Sequence, residues 1–269
     1  MMSRLHARGL VLCAAVLFVM AVDAKSADGD VTALLATIKA VGKEGEGNVA
    51  AAKAWQKLVE HGPQVLVPVL AGLDGANVRA ANWIRLAVDA IAEKALETKQ
   101  VDAKQLEAFI RDKSHSGRGR RLAFEILRQV DATSPDRLLP DMLDDPSSEL
   151  RREAIARVIT KIEKLLESAN KAAALDLLKK IFPHTRDRDQ VDLVADHLAK
   201  LGVQVDLQKH YGIVNRWYIA TPFDNSGQKG FDIAYPPEKR VDLNATYEGK
   251  NGTKVQWKMV STDDPRGPC

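Results

Sequence analysis

Cysteine is nearly absent: the 269-residue chain has two, Cys13 and Cys269, at opposite ends. With a leader carrying Cys13 removed, one thiol remains. That excludes an internal disulfide and any thiolate-rich zinc site. A dominant charge is also missing, since 28% charged residues leave a net +3. This balance gives no reason to expect nucleic acid or a membrane surface as partner. Catalytic spacing is missing as well. His61, His115, His184, His197 and His210 are scattered and form no HExxH pair. There is no G-x-S-x-G elbow, and Gly227-Gln228-Lys229-Gly230 lacks both the P-loop spacing and its Ser/Thr, so it reads as a turn. These absences predict a non-catalytic protein with no cofactor and no metal. What is present is 45% hydrophobic residues, enough for a sizeable core.

The first residues read as an address. Arg4, His6 and Arg8 precede an almost wholly apolar run, Leu10 to Val22, and Val22-Asp23-Ala24 supplies small residues at −3 and −1. This is the secretory signal pattern, with cleavage after Ala24. The run is about 13 residues, short of the roughly 20 of a membrane-spanning helix. Retention as an uncleaved anchor and lipidation at Cys13 are the alternatives; Leu12 is large for the residue before a lipidated cysteine. The expected location is exported: periplasmic, cell-envelope or extracellular.

Two regions follow. Residues 30–202 are rich in Ala, Leu, Lys, Arg and Glu, strong helix formers. After Gly202, Ala becomes scarce, and all four tyrosines appear with Trp217, Trp257, Phe223 and Phe231. The helical region repeats. Loops beginning at Leu73, Ile110, Leu143 and Phe182, spaced 37, 33 and 39 residues apart, lead into amphipathic runs 78–91, 118–130, 148–159 and 189–201. That period marks a two-helix solenoid unit. In the third unit Asp144-Asp145-Pro146 breaks the first helix and Ser147 or Ser148 can cap the second. Ala154, Ile155, Val158 and Ile159 then fall on one face at 3–4 residue spacing, while Arg151, Arg152, Glu153 and Arg157 occupy the other faces. First helices are expected at 51–61, 65–73, 136–143 and 171–182.

Asp144-Asp145-Pro146-x-x-Glu149-x-Arg151-x-x-Ala154 resembles the loop and second helix of a HEAT repeat. Leu58-Val59-x-x-Gly62-Pro63-x-x-Leu66-x-Pro68-x-Leu70 resembles the first helix and turn of another. The resemblance implies an α-solenoid of about four hairpins over 30–202 and a binding scaffold for a protein partner. In residues 211–269, Trp217-Tyr218-Ile219-Ala220, Val241-Asp242-Leu243 and Lys254-Val255-Gln256-Trp257 alternate with turn residues. The stretch resembles the opening strands of a galactose-binding-like β-sandwich, a module that follows HEAT-like repeats in exported proteins of planctomycete-type bacteria. About 60 residues hold three or four strands where a sandwich needs seven or more. The expectation is therefore an incomplete module or a small β appendage.

Candidate contacts are few. Arg111, Lys113, Arg118, Arg120 and Arg121, with His115, form a basic cluster suited to an anionic partner or to a solubilising turn. No aromatics interleave for base stacking, so nucleic acid is not expected. Trp217, Tyr235 and Trp257 are candidate aromatic contacts for a carbohydrate. Asp224, Asn225 and Asp232 could offer oxygens to calcium or simply form a turn. Asp192 and Asp196 share a helix face from which His197 is rotated, which reads as solvated surface. Trp55 and Trp83 read as core residues bridging the first hairpins. Beside the scaffold stand two alternatives: a carbohydrate- or envelope-binding protein acting through its β region, and the non-catalytic part of a larger exported enzyme.

Overall fold

The computed structural model describes residues 29–261, so the signal segment, Cys13 and Cys269 lie outside the described residues. The protein is mainly helical, with a few small antiparallel strands near its C-terminal end. The chain divides between Leu177 and Leu178 into two compact units.

The first unit begins with helix α1, residues 29–39. α2 is Asn48–His61, and a 3-10 turn at Pro63–Val65 leads into α3, Leu66–Ala71. Pro68 is tolerated there because it falls in the first turn, where backbone N–H groups lack helical partners anyway. Then come α4 (Val78–Glu97), α5 (Ala103–Arg111), α6 (Gly117–Val130), α7 (Ser134–Leu138), α8 (Ser148–Glu167) and α9 (Lys171–Ile181), which carries the unit boundary.

Side-chain caps fix the starts. Asn77 Oδ1 accepts from the N–H groups of Arg79 and Ala80. Asp102 does the same for Lys104 and Gln105, Ser116 for Gly119, and Ser147 for Leu150. Each cap satisfies donors the helix cannot, worth about 1 kcal/mol. The expected single helix 136–143 is instead α7 followed by a 3-10 turn, Leu139–Met142. Pro140 explains this, because its ring clashes with the carbonyl four residues back.

The helices pack as sequential pairs, α3 on α4 and α5 on α6, with the turn after α7 on α8. Between pairs, α2 meets α4, α3 meets α6 and α6 meets α8. One continuous core runs through them, from Ile38 and Leu58 through Ile84, Ile91 and Phe124 to Leu150. Burying each such side chain stabilises the fold by roughly 1.5–3 kcal/mol. Gly72 permits one close approach: a Cβ there would lie 2.7 Å from the Leu35 side chain of α1.

The second unit continues with a 3-10 turn at Phe182–His184, α10 (Arg188–Lys200) and α11 (Leu207–Tyr211). Val191, Val194 and Leu198 are the buried apolar face of α10. His210 reaches the carbonyl of Thr185 at 2.9 Å and lies against Phe182. Strands β1 (Arg216–Ile219) and β4 (Lys258–Ser261) pair antiparallel with Tyr218 opposite Met259. Between them are α12 (Pro236–Lys239) and a second antiparallel pair, β2 (Thr246–Glu248) with β3 (Lys254–Gln256). The described strands thus form two separate ribbons. Val255 is fully buried, whereas Tyr218 and Met259 are more than half exposed.

Candidate functional site

The first unit presents a groove where α4, α6 and α8 begin. Between α4 and α6 lies a concavity of about 280 Å³ lined by Val78, Asn82, Arg85, Arg118, Leu122 and Glu125 among others. An adjoining one of about 570 Å³ runs over the loops that precede all three helices. The two share Leu73, Val78, Arg118 and Glu149, which makes them one surface. Val78 opens α4 yet is 65% exposed, and Leu86, two turns on, is 54% exposed. Arg118 sits in the first turn of α6, against the positive end of the helix dipole, and makes no ion pair among the described residues.

The basic cluster is mostly spent inside the fold. Arg111 pairs with Glu107 at 3.0 Å and Asp141 at 3.2 Å. Arg121 lies between Glu125 and Glu153. Burial opposes the Arg121 charge, but hydrogen bonds to Glu153 and Glu125 outweigh it and raise its pKa. Arg120 requires a correction: it is fully buried and cannot contact a partner. Its Nη1 and Nη2 donate to the two oxygens of Asp145 at 2.7 and 2.8 Å, and its Nε donates to the Ile110 carbonyl at 2.7 Å. Asp145 also accepts from Ser147 N–H at 2.9 Å. Burial alone would raise the Asp145 pKa; Arg120 and the Ser147 N–H more than reverse this and hold it below the ordinary value. Of the cluster's arginines and lysine, only Lys113 and Arg118 make no ion pair among the described residues.

A parallel tie sits one loop earlier. Asp74 accepts from Ser116 N–H at 2.6 Å and meets His115 Nδ1 at 2.6 Å. His115 stacks on Phe109 at 4.1 Å. Asp74 and Asp145 were readable only as turn residues. The signal that marks them is an Asp two or three positions before a capping side chain, Asp74 before Asn77 and Asp145 before Ser147.

Trp55 and Trp83 are partly buried against the core. Trp83 Nε1 donates to Asn48 of α2 at 3.3 Å, while Trp55 Nε1 is enclosed without an acceptor among the described residues. Tyr235 and Trp257 line one concavity in the second unit; Trp217, on β1 opposite Val260, does not. Asp224 Oδ1 accepts from Ser226, and Asn225 Oδ1 accepts from Gly230 N–H, both as turn-forming bonds. On α10, Asp192 and Asp196 pair with Arg188 and Lys200. Among the described residues, no group of three or more His, Cys, Asp or Glu could hold a metal.

No family model, curated protein or solved structure matches this chain. No helix among the described residues is long and apolar enough to cross a membrane.

Proposed function

We propose that the protein is an exported, non-catalytic interaction scaffold whose helical pairs stack as HEAT-like hairpins into an α-solenoid. It binds a protein partner on the face where α4, α6 and α8 begin. The observation that carries this reading is the groove at that face. Buried Leu73, Ala81 and Leu122 line it together with polar Asn82, Arg85 and Glu125, and Val78 stands exposed beside Arg118, which makes no ion pair among the described residues. Apolar anchors beside unpaired polar groups are what a protein interface requires. The stacking of α2 on α4, α3 on α6 and α6 on α8 supports the repeat reading, because each pair buries on its neighbour a face it cannot bury alone.

A photo-crosslinking amino acid at Asn82, within the groove, tests this in cells that express the protein. A discrete protein adduct is expected there and not from the same group at exposed Glu163 on α8. Introducing Val78→Glu and Arg118→Glu together should abolish it. Equal labelling from both positions, or none from Asn82, would overturn the assignment.

A further inference from the structure

The turn between β2 and β3 carries the only asparagine of the chain that a glycine follows, Asn251-Gly252. We infer that Asn251 is a site of spontaneous deamidation and that its isoaspartate product opens the β2–β3 ribbon. The reaction needs a free side-chain amide, a free backbone N–H on the next residue, and room for that nitrogen to reach the side-chain carbon. Asn251 and Gly252 are both exposed. Among the described residues, neither the Asn251 side chain nor the Gly252 N–H makes a well-formed hydrogen bond. A Cβ at Gly252 would meet nothing within 4 Å, and glycine has none to shield its nitrogen. Swinging the Asn251 ψ away from 33° brings that nitrogen over Cγ. The other asparagines of the second unit are held. Asn215 Nδ2 donates to Gln208 at 2.9 Å. Asn225 Oδ1 accepts from Gly230 N–H at 2.7 Å, and the next amide, Ser226 N–H, donates to Asp224 at 3.1 Å. After Asn244, Ala245 N–H donates to the Asp242 carbonyl at 3.1 Å.

The chemistry needs only water. Hydroxide takes the Gly252 amide proton, and the nitrogen attacks Asn251 Cγ. The new N–Cγ bond forms, the Cγ–Nδ2 bond breaks, and Nδ2 leaves as ammonia, taking its third hydrogen from water. Water then opens the five-membered imide. Cleavage at Cγ gives aspartate. Cleavage at the backbone carbonyl gives isoaspartate, whose main chain runs through Cβ and Cγ. Nothing is oxidised or reduced. The second product lengthens the backbone by one carbon, about 1.5 Å. The base of the turn has no slack to absorb it. Gly249 N–H donates to the Thr253 carbonyl at 2.7 Å, and Lys250 N–H to the Pro222 carbonyl at 3.1 Å. A Cβ at Gly249 would collide with the Pro222 carbonyl and the Val255 side chain. The ribbon pairs only Thr246–Glu248 with Lys254–Gln256, and a two-stranded ribbon is marginal by itself. The added carbon therefore releases Tyr247 from Val255 and uncovers Val255, which is 1% exposed in the intact fold. Aspartate keeps the backbone length and leaves the ribbon closed.

Every residue involved lies between Pro222 and Gln256, so this site and the α4–α6–α8 groove stand or fall separately. The full chain is stored for several weeks at neutral and at mildly acidic pH. Cleavage after Glu248 frees Asn251 in a peptide that begins at Gly249, and an isoaspartyl methyltransferase with labelled S-adenosylmethionine reports the isoaspartate. That peptide should gain about one dalton, at least ten-fold faster than those carrying Asn215, Asn225 or Asn244, and faster at neutral pH. The cross-strand NOE between Tyr247 and Val255 should vanish in the isoaspartyl form, separated by ion exchange. It should persist in Asn251→Asp, and in stored Asn251→Gln, whose longer side chain closes an imide far more slowly. The inference is overturned if Asn251 converts more than ten-fold slower than in the urea-unfolded chain or not at all, if another asparagine converts as fast, or if the isoaspartyl form keeps the NOE.

Discussion

Asp145→Ala should be among the most damaging single substitutions in the helical unit. It removes both acceptors of the Arg120 guanidinium, at 2.7 and 2.8 Å, and the acceptor of Ser147 N–H. Arg120 keeps only the Ile110 carbonyl. The guanidinium cannot shed its proton at any accessible pH, so the variant buries an uncompensated charge. Deleting one partner of a buried pair costs about 3–5 kcal/mol, and the lost Ser147 bond adds about 1 kcal/mol. That is a large fraction of the roughly 5–15 kcal/mol that holds a domain folded. Arg120→Met combined with Asp145→Leu removes both charges and should cost only about 1–2 kcal/mol, chiefly the lost Ser147 bond. Urea unfolding followed by circular dichroism at 222 nm measures all forms. With a slope of about 2 kcal/mol/M, Asp145→Ala should lower the midpoint by about 2 M, and the double variant should recover most of it. A single-variant loss below about 1 kcal/mol, or a double variant no better than the sum of its parts, would refute the reasoning.

Other substitutions probe other links. Arg137 at 2.8 Å and then Thr133 hold Asp131 down to about 2. Its folded pKa lies below the unfolded one, so its contribution is present above about pH 4 and is lost as pH falls through 2. A carboxyl-carbon NMR titration should show this, and Arg137→Gln should move Asp131 back up. Gly119→Ala should lower the urea midpoint despite the better helix propensity of Ala, because its Cβ would lie 3.0 Å from the Leu70 carbonyl; the net cost is about 1–2 kcal/mol. Trp55→Phe should stay within about 1 kcal/mol of the parent in the same assay, since it deletes an enclosed N–H that has no partner. Trp83→Phe loses a bond to Asn48 and should cost more.

The second helices were readable because caps and apolar spacing agree locally. Runs expected at 78–91 and 148–159 begin at Val78 and Ser148 as α4 and α8 do, and fall short only at their ends, Glu97 and Glu167. The apolar spacing continues through those last turns, in Ala95 and Leu96 and in Ile162, Leu165 and Leu166, but no Gly or Pro follows to mark where either helix stops. α5 carries the same pattern in Leu106, Phe109 and Ile110, but its brevity hid it next to the loop at Arg111. The basic cluster misled for a different reason. Sequence shows that Arg118, Arg120 and Arg121 are close in the chain, but not that Arg120 turns inward to a carboxylate 25 residues away. The aromatic residues of the second unit were visible as a composition. Which of them share a cavity depends on the path from Thr221 to Glu238, and no local propensity encodes that path.

The polar ties along the loops differ from one junction to the next. Lys39 Nζ reaches the Asp74 carbonyl and Asn77 Nδ2 the Val41 carbonyl. Asp74 holds Ser116 and His115, and Arg120 holds Asp145. Each tie joins neighbouring helix pairs, and the chemistry changes from junction to junction: side-chain donors on backbone carbonyls at the first, a carboxylate with a histidine and a backbone N–H at the second, a buried ion pair at the third. The hairpins are therefore keyed rather than interchangeable: duplicating, deleting or reordering one would set a buried charge against the wrong loop. Lineages that shuffle this region must change both sides of a junction together, and the order of its hairpins should outlast the identity of its surface residues.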